Sequence, residues 1–122
     1  MSDHMMFDAR LFTPWERGSC IYDHYNEKYF KHQLPIVRVG FYKKMAKSEH
    51  GFTLRPRGAK YASVIALNSL FKENFVDVLR QTILHEMVHV KLGCEVECRE
   101  WHGAFDKEMF RLASAGAFRY FW

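Results

Sequence analysis

Apolar positions recur at helical spacing in three stretches of the chain and follow strand-like patterns in three others. From about Trp15 to His32, Ile21, Tyr25 and Tyr29 form one stripe, with Tyr22 and Phe30 at its flanks. Residues three and four apart share one face of a helix, so this stripe predicts a first helix with a core-facing aromatic side. Leu34-Pro35 ends it, because proline disfavours helical backbone in the residue before it. Met1 to Pro14 has no firm period, and Phe7, Leu11 and Phe12 are expected to pack on the body.

Ile36 to Tyr42 reads as a strand, with Val37, Val39 and Phe41 on one face and Arg38 and Tyr42 on the other. Lys43 to His50 is a charged hairpin loop. Gly51 to Arg55 is a second short strand through Phe52 and Leu54, closed by Pro56 and Gly58. Tyr61 to Leu67 is a third strand, apolar on both faces.

From Phe75 the period turns helical again. Phe75, Val78, Leu79, Ile83, Met87 and Val90 make the buried side; Asn74 is the N-cap candidate and Gly93 the stop. Cys94 to Glu100 reads as a polar, acidic loop. His102 to Ala115 is the last helix, with Phe105, Met109, Leu112 and Ala113 on one side. With no repeat, linker or low-complexity tract, residues 1–122 read as one α+β domain. It has an N-terminal helix, a small, mostly antiparallel three-stranded sheet, a central helix and a C-terminal helix.

The chemistry lies on the central helix. His85-Glu86-Met87-Val88-His89 reads H-E-x-x-H. Histidines four apart sit one turn above each other and can offer two imidazole nitrogens to one metal ion. Glu86, beside the first ligand, is placed to act as general base on a metal-bound water. Hydrolytic zinc needs a third protein ligand and one open position. The metzincin continuation would need Gly at 92 and His at 95; the chain has Leu92 and Glu95. His102, followed by Gly103 at the start of the last helix, is the favoured third ligand, and Glu108 the second choice. Cys94, Cys98 and His102 are also spaced by four, but Gly93 argues against a continuous helix there, so both cysteines are read as reduced loop residues. Cys20 is the remaining cysteine; three do not make a disulfide framework. His4, His24 and His32 are read as ordinary surface residues, and His50 as a loop residue that can reach a cleft.

These residues together resemble the SprT-like zinc metalloproteases, the group of SprT and the Spartan protease domain. The matching pieces are Tyr25-Asn26, Tyr29-Phe30, Leu34-Pro35, the strand Val64-Ile65-Ala66-Leu67-Asn68, the stretch Ile83 to His89, and His102-Gly103. They run in the family's order from about Ile21 to Leu112. The resemblance implies a zincin-like fold, Zn2+ on His85, His89 and His102, and Glu86 as the catalytic glutamate. Three features depart from the family: Phe105 follows the third histidine by three residues rather than four, the loop between His89 and His102 is short, and the sequence carries no zinc ribbon of paired cysteines. A minimal protease core is the expectation.

Composition narrows the rest. Hydrophobic residues make up 48% and aromatics 16%, as in a folded globular protein. No apolar run approaches the roughly 18 residues of a membrane span, and Met1 to Arg10 has no signal-peptide pattern. A cytoplasmic monomer is expected, with nucleoid or nuclear association open. The charge is +4 and the pI about 9.0. Residues 38–60 hold seven Lys/Arg (Arg38, Lys43, Lys44, Lys47, Arg55, Arg57, Lys60) against Glu49, interleaved with Phe41, Tyr42, Phe52 and Tyr61. That segment is the candidate DNA contact, its charges for phosphates and its rings for bases; a solvated loop with core-facing aromatics is the plainer reading.

The implied reaction is peptide hydrolysis, with Tyr61 to Leu67 as a candidate edge strand for an extended protein or peptide substrate. Tyr61, Arg57 and His50 are candidates for oxyanion contacts, and Asp106 or Glu108 for a carboxylate supporting a ligand imidazole. Two further readings are carried: a protease acting on DNA-bound or DNA-crosslinked protein, and a non-catalytic module in which zinc stabilises a nucleic-acid- or protein-binding surface.

Overall fold

The structure, a computed structural model, describes residues 7–73, 76–93, 96, 98 and 102–118. Its elements are β1 (Phe12–Pro14), α1 (Glu16–Phe30), β2 (Arg38–Tyr42), β3 (Gly51–Leu54), β4 (Val64–Asn68), α2 (Val76–Leu92) and α3 (Ala104–Ser114). Short 3-10 turns precede β1 at Ala9–Leu11 and follow β4 at Ser69–Phe71.

The class is α+β as expected, but the sheet is four-stranded and mixed. Its order is β1-β2-β4-β3, with β2 parallel to β4 and the two outer pairs antiparallel. Two causes account for the difference. β1 is three residues long and ends in Pro14, too short for a period to be visible. β2 and β3 do not close a hairpin on each other. The chain crosses the end of the sheet through residues 43–50 and turns at Gly58 (φ +81) to lay β4 between them. Tyr61 to Leu67 therefore does not supply the edge strand. β4 is central, as its two apolar faces require, and β3 is the edge beside it.

α1 lies on the sheet at close range. A Cβ on Gly18 would stand 2.8 Å from Cγ1 of Val39 and 2.5 Å from the Trp15 ring, so the approach needs glycine. The buried side is Tyr22, Tyr25, Asn26 and Phe30, with Ile21 and Tyr29 only partly covered; the stripe is rotated slightly from the one read in the sequence. Helix α1 stops where Lys31 turns left-handed (φ 54). Asn26 then fixes the exit: its Nδ2 donates to the Leu34 carbonyl and its Oδ1 accepts from the Leu34 N–H. Tyr22 adds a hydroxyl bond to the Pro35 carbonyl at 2.7 Å. The Tyr-Asn and Leu-Pro pieces are thus one latch.

The main core fills the space between the sheet and the helices, through Val39, Ile65, Leu67, Leu79, Ile83, Leu84, Met87, Val88, Phe105 and Leu112. A smaller cluster of Tyr42, Phe52 and Ala66 occupies the other sheet face, covered by Phe7, Leu11 and Phe12. At the end of β4, buried Asn68 donates to the Ala46 and Glu49 carbonyls, and its N–H bonds the His50 carbonyl. That ties the loop before β3 to the sheet and sets where β3 begins.

The N-cap candidate Asn74 and Phe75 lie outside the described residues, as do Cys94 and Arg119 to Trp122. Gly93 does end α2, with φ 111 and its N–H on the His89 carbonyl.

Candidate metal centre

Helix α2 crosses the sheet with Leu79, Ile83, Leu84, Met87, Val88 and Val90 buried. Placing those residues inward leaves His85 and His89 half-buried on one side, their ring centroids 5.4 Å apart. Phe105, from the first turn of α3, packs against both imidazoles at 4.7 and 4.8 Å. The sequence put Phe105 on the core side of the last helix; its contact with the two candidate ligands carried no sequence signal.

Glu86 is 5% exposed. Its Oε1 accepts a 2.8 Å hydrogen bond from the Thr53 hydroxyl, which also lies 3.2 Å from the Glu86 carbonyl. Burial pushes the Glu86 carboxyl up to about 7, against the Thr53 bond, which pulls it down. Thr53 went unnoticed in the sequence, although the alternation was legible: Phe52 and Leu54 face the small cluster, so Thr53 between them must face α2. Burial, with the nearby His89 and His50, pushes the His85 imidazole down to about 4. It is neutral at pH 7, the form that ligates metal.

Nitrogens of His85 and His89 and the Sγ of Cys98 all lie within 4.8 Å of one another. This is the group of potential ligands that the structure assembles among the described residues, and it contains Cys98 where the sequence favoured His102. Cys98 is exposed and carries a free thiol. His102 is exposed too, in the turn before α3, with φ 63. The second-choice ligand, Glu108, is engaged elsewhere. Its carboxylate takes Lys91 Nζ at 3.0 Å and Arg111 Nε and Nη2 at 2.8 and 2.7 Å. Asp106 is exposed in the first turn of α3. Imidazole nitrogens with a thiolate sulfur suit zinc by ligand chemistry, so the residues present fit that metal.

A cleft of about 380 Å3 opens beside this group, lined by His50, Gly51, Gln81, Thr82, His85, Glu86, Met109 and Phe118. Of the three residues suggested for oxyanion contacts, His50 borders this cleft. Tyr61 lines a different cavity, with Tyr29, Phe30 and Arg111, and Arg57 is exposed near the turn at Gly58. Residues 19–118, from early α1 through the turn after α3, match the SprT-like family. The chain belongs to the SprT-like family. No curated protein and no solved structure gives a match to it. As a SprT-like protein it carries a metalloprotease-like domain, and the matched span contains every residue of the cleft and of the ligand group. Among the described residues, no helix of this SprT-like chain is long and apolar enough to cross a membrane.

Proposed function

We propose that this SprT-like domain is a zinc-dependent endopeptidase that cleaves DNA-bound or DNA-crosslinked proteins. The reading is carried by one arrangement: the His85 imidazole, paired with that of His89, and the buried Glu86 carboxylate, at a cleft that the edge strand β3 borders at Gly51. His85 and His89 would hold the metal, with His102 as third ligand by family resemblance. Zinc, when bound, supplies a Lewis acid and lowers the pKa of a coordinated water. Glu86 accepts the proton of the attacking water and passes it to the leaving amine, restrained by the Thr53 hydroxyl throughout. Strand β3 offers the free edge along which an extended substrate pairs by backbone hydrogen bonds, which makes selectivity broad and places the scissile bond near His85.

The proposed DNA contact rests on exposure. All seven basic residues of the 38–60 segment are exposed, whereas Tyr42 and Phe52 are buried and Phe41 is half-buried. Phosphate contact is supported. Of the four rings, Tyr61 alone, 54% exposed, is open to stacking.

The test is Glu86→Gln. Folding and zinc stoichiometry should persist while cleavage of an unfolded protein, measured with and without DNA, is lost. A wild type that cleaves no unfolded or crosslinked protein under either condition would overturn the enzyme reading. A non-catalytic zinc module is then the alternative. One observation favours it: the Cys98 thiol in the ligand group, because structural zinc sites are closed by four protein ligands. The buried Glu86 weighs the other way, since a closed structural site has no use for a carboxylate beside its ligands.

A further inference from the structure

We propose that Cys98 is a ligand of the same metal and that its thiolate holds the coordination position that water must occupy for hydrolysis. This deepens the peptidase reading and rests on it for the meaning of that position. The sulfur lies within 4.8 Å of nitrogens on both His85 and His89. Ligands on one tetrahedral zinc, with Zn–N of about 2.0 Å and Zn–S of about 2.3 Å, stand roughly 3.5 Å apart. The three atoms therefore need to close by little more than an ångström, within reach of a side-chain rotation. No other described cysteine, histidine or acid joins the two imidazoles in such a group.

Where Cys98 sits makes its release feasible. It lies in the connection between α2 and α3, four residues before His102, and it is exposed. Val96, two residues earlier, is packed against the main core, and its N–H bonds the Gly93 carbonyl. Val96 is thus held while the Cys98 thiol faces solvent. With His85, His89 and His102 as the peptidase ligands, Cys98 makes a fourth and closes the site. Without it, one position is open. A thiolate that comes and goes from that position gates access of water while leaving the helices and the buried Glu86 where they are.

Cobalt(II) substitution reads this directly, because a thiolate on cobalt gives a near-ultraviolet charge-transfer band that imidazole and carboxylate do not. Wild type and Cys98→Ser are loaded with one equivalent of cobalt, and the zinc forms are assayed on an unfolded protein. The band is expected in wild type and absent in Cys98→Ser, with metal stoichiometry unchanged. The zinc form of Cys98→Ser should cleave about tenfold faster, the gain if the thiolate holds its position roughly nine-tenths of the time. A wild type without the band overturns the proposal, as does a band that survives in Cys98→Ser. Loss of the metal from Cys98→Ser as complete as from His85→Ala also overturns it, for Cys98 would then be a required ligand and not a gate. If the bands behave as expected and neither zinc form cleaves anything, the peptidase reading fails and the assignment of Cys98 as a ligand stands.

Discussion

The hydroxyl of Thr53, on edge strand β3, donates to the Oε1 of Glu86, on helix α2, at 2.8 Å. Thirty-three positions separate the two residues in the chain, and the bond joins the strand proposed to carry substrate to the carboxylate proposed to move its proton. Thr53 is 7% exposed and Glu86 5%, so the contact is largely shielded from solvent.

Removing that hydroxyl should therefore cost catalysis more than folding. Thr53→Val keeps the shape and the β-branched character of the strand residue. A hydrogen bond to a charged group is worth about 1.5–3 kcal/mol, so kcat should fall roughly ten- to a hundredfold with KM little changed. Thr53→Ser should restore most of the rate. Steady-state kinetics on the three proteins would decide it; a valine variant with unaltered kcat would mean that Glu86 needs no such restraint.

Phe105 predicts a different signature. Its ring lies 4.7 and 4.8 Å from the two imidazoles and is itself 3% exposed. Phe105→Leu keeps an apolar side chain in the core but removes the flat face that limits rotation of His85 and His89. Supporting residues around metal ligands typically contribute ten- to a hundredfold in affinity. Zinc affinity, measured by competition with a chelator, should drop by about tenfold. Stability of the metal-free protein should fall by only about 1 kcal/mol. Equal affinity for the two proteins would show that Phe105 is core and nothing more.

The Glu108 cluster gives a pH dependence. Burial pushes the Glu108 carboxyl up, but the hydrogen bonds and charges of Arg111 and Lys91 outweigh it and hold it below the ordinary 4.5. A carboxyl with a depressed folded pKa contributes stability that is full above its unfolded pKa and is lost as pH falls through the folded value. Urea midpoints of wild type should therefore decline as pH drops from about 5 toward 3. Glu108→Gln should lack this component and be weaker at neutral pH. The loss should be about 1–2 kcal/mol, at the low end for charged hydrogen bonds, because Lys91 and Arg111 are 37% and 42% exposed. Parallel curves for the two proteins would place the acid sensitivity elsewhere.

What the sequence revealed and what it hid follow from how local each feature is. Helix α2 was legible because its two histidines, its glutamate, its apolar stripe and its Gly93 stop all lie within one continuous segment. Asn26, Leu34 and Pro35 of the latch were visible as motif pieces, whereas Tyr22 stood only at the flank of the stripe and the hydrogen bonds were not visible. The sheet order was hidden, because the parallel pairing of Val39 with Ile65 depends on a crossing that no local pattern encodes. Two apolar faces on β4 are evidence for a central strand, since both sides of it are covered. Cys98 was hidden for a related reason. Its proximity to His85 and His89 is a tertiary contact beyond the Gly93 stop, and a polar, acidic run does not specify such a contact.

His102 and Cys98 yield the last prediction. Family resemblance makes His102 the third ligand, whereas the assembled group holds Cys98 and leaves His102 exposed at φ 63. The substitution chosen is His102→Asn, since asparagine tolerates left-handed backbone better than alanine, so the imidazole is removed while the backbone conformation is kept. If His102 ligates, zinc affinity should fall about a hundredfold. At saturating zinc, that removes ~2.7 kcal/mol of metal-derived stability. Stripping zinc with a chelator should then remove most of the difference in melting temperature between wild type and variant, because that difference comes from the metal. If His102→Asn instead keeps full affinity, His85, His89 and Cys98 already complete the site. Cys98 is in that case the third ligand rather than the gate, and the open position belongs to water in the resting protein.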